Sequence, residues 1–257
     1  MRDPFLLDRP AIVSFSGGRT SGYMLWRVLQ AFGGSLPDDV VVVFNNTGKE
    51  REETLEFVAA VGAMWNVRVR WLEYRNEPTT RTPKTGKRAG QVVPTWHHLF
   101  REVDFATASR GGEPFDMAIR SRQILPNQAV RYCTGEMKIR TTYRFVRDHL
   151  CWREGYDNAL GIRADEPHRV AKLYSARETR TVQTLFGEEE EVTGYDAERV
   201  PGEEPVVPLY RAGGTLDDVM AFWQSQRGGA AAGRVAGRPR RREAGLRPGV
   251  AARRGEL

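Results

Sequence analysis

Apolar runs and amphipathic stretches alternate along the first 74 residues. Ala11 to Phe15 (AIVSF) is a short apolar run that reads as a buried strand. Ser16, Gly17 and Gly18 follow as a turn, and Tyr23, Met24, Val28 and Leu29 recur at helical spacing. Val40 to Asn45 (VVVVFN) predicts a second strand, Glu50 to Trp65 a helix with Leu55, Val58, Ala59 and Gly62 on one face, and Val67 to Tyr74 (VRVRWLEY) an alternating third strand. Strand and helix in strict alternation imply right-handed crossovers and a parallel sheet.

The later pattern extends this plan. Asn76 to Pro94 reads as a polar loop carrying Arg81, Lys84, Lys87 and Arg88. Trp96, His97 and His98 read as a helix start, with the histidines as packing or surface residues. A helix is expected from about Thr134 to Leu150 and a fourth strand over Tyr156 to Ile162. An acidic hairpin or loop is expected over Phe186 to Pro205, a fifth strand over Val206 to Tyr210, and a Thr215-capped helix through Gln226. The expected fold is α/β: an open, mostly parallel five-stranded sheet with helices on both faces.

Chemistry concentrates where strands end. Glycines at the end of the first strand let the backbone approach an anion, which also meets the unpaired N–H groups and positive dipole end of the following helix. Ser16, Thr20 and Ser21 add hydroxyls. The loop has neither the spacing nor the lysine of a GxxxxGK[ST] phosphate loop, and it is not the GxGxxG dinucleotide fingerprint. A plain steric turn would use the same glycines. Asn45, Asn46, Thr47 and Gly48 end the second strand, at the sheet edge where open α/β folds bind ligands. Thr47 and the acids after it also suit ordinary helix capping.

SGGRTS (Ser16 to Ser21) resembles the pyrophosphate loop of the N-type ATP pyrophosphatases and of the phosphoadenosine phosphosulfate (PAPS) reductase family, with Thr20 where ATP-cleaving members usually carry aspartate. Three further segments resemble the same family in order. They are NTGKEREET with its Glu53–Thr54 pair, RYCTGEMKIR around Cys133, and GIRADEPHR from Gly161 to Arg169. The final helix, with Asp218 and Val219, is similar too. The resemblance implies an adenine nucleotide alpha hydrolase-like fold over residues 1–226. It also implies an adenine nucleotide as ligand, ATP or PAPS, with Mg²⁺ if ATP. Phosphate-binding positions carried over are Ser14, Ser16, Gly17, Gly18, Arg19, Thr20, Ser21, Asn45, Thr47, Gly48, Glu53, Thr54, Gly161, Arg163 and Arg169, and the catalytic candidates are Cys133 and Arg163. The implied reaction is cleavage of ATP between the α and β phosphates to activate an acceptor or transfer sulfur. Sulfite-forming reduction of PAPS or adenylyl sulfate is the alternative. Cys133 also suits a small buried hydrophobe and Arg163 a salt bridge to Asp165 or Glu166; Cys151 is expected in the core.

Composition narrows the partners. Two cysteines cannot hold an iron–sulfur cluster by themselves. No run approaches the ~18 apolar residues of a membrane span, and the charged N-terminus is no signal peptide, so a cytoplasmic protein without membrane contact is expected. The net charge of +6 resides in residues 227–257, where nine arginines face only Glu243 and Glu256; residues 1–226 carry 30 basic and 31 acidic side chains. That Arg/Gly/Ala-rich tail is expected to be disordered. Nucleic acid is a further candidate partner, through the basic loop 81–88 or the tail, with the nucleotide site then regulatory. Phage and prophage relatives with an SGGRTS-type loop continue past this helix into a Cys-x-x-Cys stretch. The abrupt change after Gln226 therefore suggests a frameshifted reading of a GC-rich gene.

Overall fold

The computed structural model describes residues 2–8, 10–123, 125, 134–175, 179–183, 189–193 and 202–227. The basic tail beyond residue 227 and Cys133 lie outside them. The strands are β1 (Ala11–Ser14), β2 (Val40–Asn46), β3 (Val69–Arg81), β4 (Val93–Val103), β5 (Tyr156–Leu160), β6 (Thr179–Gln183), β7 (Glu189–Thr193) and β8 (Glu203–Val206). Helices α1 (Arg19–Ala31), α2 (Glu52–Met64) and α3 (Glu113–Arg122) lie between the early strands and the middle of the chain. The helix α4 follows, with π-wound segments Gly135–Arg140 and Val146–Leu150 around α-helical Thr141–Phe145. Then come α5 (Pro167–Ser175), α6 (Pro208–Arg211) and α7 (Leu216–Arg227).

The α/β expectation holds, with six strands in the main sheet instead of five. Their order is β4-β3-β2-β1-β5-β8; β4 is antiparallel to β3, and every other neighbour is parallel. Strands β6 and β7 form a separate antiparallel pair that begins before the expected acidic hairpin: only β7 falls within residues 186–205, and Glu203 and Glu204 of that stretch belong to β8. The chain runs β1 to β2 to β3 in one direction and then places β5 on the other side of β1. Strand order therefore reverses at β1, and the ends of β1 and β5 flank the resulting crevice.

Parallel strands covered on both faces must be apolar on both, and β1 and β2 are. Val13, Phe15, Val42, Phe44 and Trp71 face α1, α2 and α7, while Ile12, Val43 and Leu72 face Phe145 and Val146 of α4. Helix α7 closes over α1 and α2. Its Trp223 donates Nε1–H to the Arg19 carbonyl at 2.9 Å, and a Cβ on Gly22 would lie 2.8 Å from the Trp223 ring. A reciprocal cap starts α7: Asp218 accepts from the Thr215 backbone and hydroxyl, both at 2.7 Å.

Four expectations are corrected. The stretch read as a polar loop and helix start is a long hairpin, in which β3 runs on to Arg81 and β4 contains Trp96, His97 and His98. Because β3 pairs with β2 only as far as Glu73, residues 74–81 and their β4 partners overhang the C-terminal edge of the sheet. From Glu77 to Arg81 the first strand of this ribbon is exposed, which removes the need for apolar alternation there, and Pro78 and Pro94 are tolerated where no third strand needs their donors. The strand expected over Val206 to Tyr210 ends at Val206, and Pro208 opens a short helix. Cys151 is exposed rather than core, because it ends α4 in a left-handed conformation at φ 60°.

The end of β2 is fixed by a buried carboxylate. Glu73, fully buried, accepts from Asn46 Nδ2 (2.8 Å), the Ser109 backbone (2.6 Å) and hydroxyl (2.9 Å), and Arg101 (2.7 Å). Asn46 Oδ1 in turn accepts from Gly48 N at 3.0 Å. Replacing Glu73 with Ala strands these donors, and Glu73→Ala is expected to lower unfolding free energy by about 3 kcal/mol. Urea denaturation measures this, with Glu73→Gln expected to lose less.

Candidate functional site

The turn after β1 requires glycine. Gly17 has φ 71°, and a Cβ there would lie 2.6 Å from the Thr54 methyl on α2 and 3.3 Å from the Phe44 ring. A backbone pressed this closely against β2 and α2 leaves its outer side, at Ser16 and Gly18, exposed. Gly18 is the N-cap of α1 and no side chain caps it, so the N–H groups of the first turn open toward that side. Ser21 braces the loop from inside: its hydroxyl donates to the Gly18 carbonyl (2.9 Å), accepts from Ser16 N (3.2 Å) and lies 3.0 Å from the Ser16 hydroxyl.

The segment after β5 meets this loop. A Cβ on Gly161 would lie 3.1 Å from the Ser21 Cα, so the two backbones approach as closely as glycine permits. Arg163, 17 % exposed, donates to the Thr20 hydroxyl at 3.2 Å. The same guanidinium pairs with Asp165 at 2.8 Å and lies 3.5 Å from Glu166. Arg163 therefore makes the salt bridge considered for it and also touches the loop. Arg169 bonds Glu166 at 2.8 Å from a half-exposed position.

The remaining candidates divide. Thr54 touches the loop through its methyl, and Glu53 is exposed on the first turn of α2. Thr47 bonds Glu50 at 3.1 Å and does not cap α2, whose N-cap is Arg51. Gly48, at φ 74°, is held against Pro114 by its lack of a Cβ. Asn45 donates to Thr142 at 2.9 Å, and its buried Oδ1 has no partner among the described residues. Ser14 turns away from the loop and donates to Asn158 on β5 at 2.8 Å, which ties the two strands together. Arg19 approaches Met220 of α7 at 3.7 Å. Among the described residues no three His, Cys, Asp or Glu side chains form a metal-binding group, and no helix is long and apolar enough to cross a membrane.

A second cluster, unread in the sequence, lies beneath the overhanging hairpin. Glu136 of α4, 8 % exposed, is bonded by His98 of β4 at 3.1 Å, by Arg122 of α3, and by Arg140 at 2.9 Å. With Tyr74, Arg81 and Trp96 these residues line a cavity of about 400 Å³. Histidine 98 had no acidic neighbour in sequence; its partner comes from 38 residues away. Burial lowers the pKa of His98, and hydrogen bonding to Glu136 opposes this without reversing it. Burial would raise the Glu136 carboxyl, but hydrogen bonds from His98 and Arg122 and the charges of Arg140 and Arg122 outweigh it and bring the carboxyl down to about 2.

No established family profile matches the chain. The chain is similar to the uncharacterized nin region protein ORF290 of Escherichia phage lambda, at 31 % identity over 159 residues. These make up 62 % of this chain, and the chain spans about half the length of that relative.

Two predictions follow from this geometry. Gly17→Ala is expected to destabilise by about 1–3 kcal/mol through its left-handed φ, with the Thr54 contact adding to that. Placing Thr54→Ser in the same chain removes the clashing methyl and should recover part of the loss in a double-mutant cycle of melting curves. Glu136 is more acidic folded than its ordinary value of 4.5, so its contribution is complete above that pH and is lost as pH falls toward 2. Glu136→Gln should therefore melt lower than the parent at neutral pH and show the smaller further fall on acidification, measured by circular dichroism.

Proposed function

We propose that the chain is an adenine-nucleotide-binding enzyme related to the PAPS reductase and N-type ATP pyrophosphatase group, with its nucleotide phosphates held between the SGGRTS loop and Arg163. One observation carries the reading. The loop after β1 and the segment after β5 meet where strand order reverses, through Gly161 against Ser21 and Arg163 on Thr20. That crevice is where open α/β sheets bind ligands, and its two walls here supply a helix N-terminus and a guanidinium, both suited to phosphate.

Cleavage between the α and β phosphates fits the arrangement. An acceptor nucleophile attacks the α phosphorus and loses its proton, the bond from phosphorus to the α–β bridging oxygen breaks, and pyrophosphate leaves. Charge grows on the departing group, and the loop N–H groups with Arg163 would stabilise it without rearranging. Asp165 and Glu166 keep Arg163 oriented. They are also the carboxylates closest in sequence and bonding to this cradle, a donor set that fits a magnesium ion bound chiefly through phosphates. Thr20 stands where ATP-cleaving relatives usually carry aspartate, and its neutral hydroxyl anchors the guanidinium instead of competing for the metal.

A thermal-shift titration of the full chain tests the proposal. ATP with Mg²⁺ at about 100 times its Kd should add roughly 2.7 kcal/mol of stability, and Arg163→Gln should shrink the shift. Pyrophosphate release on adding an acceptor would support cleavage. A larger shift with PAPS would instead identify a sulfate-ester site, and no response to either nucleotide would remove the proposal.

A further inference from the structure

The hairpin that overhangs the sheet carries an unusual charge pattern. From Pro78 to His98 there is no acidic residue, while Arg81, Lys84, Lys87 and Arg88 are all exposed. Strand β3 extends eight residues past its last contact with β2, which places the hairpin tip about 26 Å beyond the sheet edge at ~3.3 Å per residue. The 400 Å³ cavity runs under this arm from Tyr74 at its base to Arg81 at the end of β3, with Arg81, Arg122 and Arg140 in its lining and Trp96, 44 % exposed, on its wall. Glu136 fixes the positions of Arg122 and Arg140, and among the described residues three arginines against one carboxylate leave the lining net positive while His98 is neutral.

We propose that the β3–β4 hairpin and the cavity beneath it bind a single strand of nucleic acid, one nucleotide of which enters the cavity with its base against Trp96 and its phosphate on the arginines. The site goes beyond the nucleotide reading and does not depend on it. Arginine supplies a fixed two-pronged donor for phosphate oxygens, and an exposed indole is a stacking surface indifferent to base identity. The length of the arm selects a polymer: a small phosphate ester in the cavity would reach Arg81 but leave Lys84, Lys87 and Arg88 without a role. A lipid surface is disfavoured because the centre of the site is concave and arginine-lined rather than a convex apolar wedge.

Fluorescence anisotropy of a labelled mixed-sequence oligonucleotide of about 16 nucleotides, measured with the full chain across a salt series and without ATP, tests this. The tail's arginines contribute equally to every variant and set the background. In R81Q/K84Q/K87Q/R88Q the slope of log affinity against log salt should fall by about 3, at ~0.7 for each of four lost phosphate contacts. W96A should bind about 5- to 150-fold more weakly with the slope unchanged, the stacking contribution of one base, and W96F should restore most of it. All substituted side chains are on the surface, and matched melting curves verify folding. Parental affinity and slope in both variants would assign binding to the tail and overturn the proposal. So would binding to phosphatidylserine vesicles, or to a free mononucleotide, without binding to the strand. Because ATP is absent, strand binding stands or falls separately from the response of the SGGRTS loop.

Discussion

Gly17 has room for a hydrogen atom and nothing larger. Its positive φ helps send the chain out of β1 and back into α1 across four residues, and the methyl of Thr54 occupies the space a side chain would need. The position of the first turn of α2 relative to β1 is thus set by a contact that no other residue allows. Gly161 repeats the constraint from the other side, where its backbone lies against Ser21. Gly22 repeats it beneath, against the Trp223 ring of α7. Three elements distant in sequence are packed against one helix start at the distance glycine permits, and the loop N–H groups consequently hold their direction before any ligand arrives. Preorganisation of that kind is what gives a set of backbone dipoles its value toward a developing charge.

Two buried carboxylates do for side chains what these glycines do for the backbone. Glu73 holds the β2 end by collecting donors from Asn46, Ser109 and Arg101. Glu136 collects His98, Arg122 and Arg140 from three different elements. A carboxylate with its lone pairs occupied tolerates burial, whereas removing it leaves several donors facing one another. Both acids lie toward the C-terminal end of the sheet, where loops converge and the apolar core can no longer hold the chain in place. Polar order there substitutes for packing.

The sequence made the central strands and the first two helices legible because their apolar spacing is set by burial on both faces of β1 and β2. The glycine turn was legible for the same local reason. The hairpin was not: its first strand is exposed from Glu77 to Arg81, so no alternation is imposed there, and its three prolines and basic residues look like a loop. Glu73 shares the strand face of Val67, Val69 and Trp71, a buried position for a carboxylate whose donors, Ser109 among them, the local sequence does not show. His98 and Glu136 lacked any signal, since their pairing joins β4 to α4 across 38 residues. Ser14 shows the opposite failure, a hydroxyl in a motif whose donor serves the neighbouring strand.

The π-winding of α4 makes the two polar centres neighbours. A π-turn bonds residue i to i+5 and so rotates side chains relative to an α-helix. At the first such segment the Thr141 hydroxyl donates to the Glu136 carbonyl at 2.9 Å, five residues back. The winding places Glu136, Arg140 and Thr141 together under the hairpin, while the next residue, Thr142, meets Asn45 at the end of β2. A regular α-helix through the same residues would turn each by a larger angle and aim these side chains differently. The buried Asn45 Oδ1, unpartnered among the described residues, lies at this seam between the loop edge and the arginine cavity. An orphaned buried carbonyl oxygen costs about 1–3 kcal/mol, so this seam offsets part of the stability that the Glu136 cluster supplies beside it.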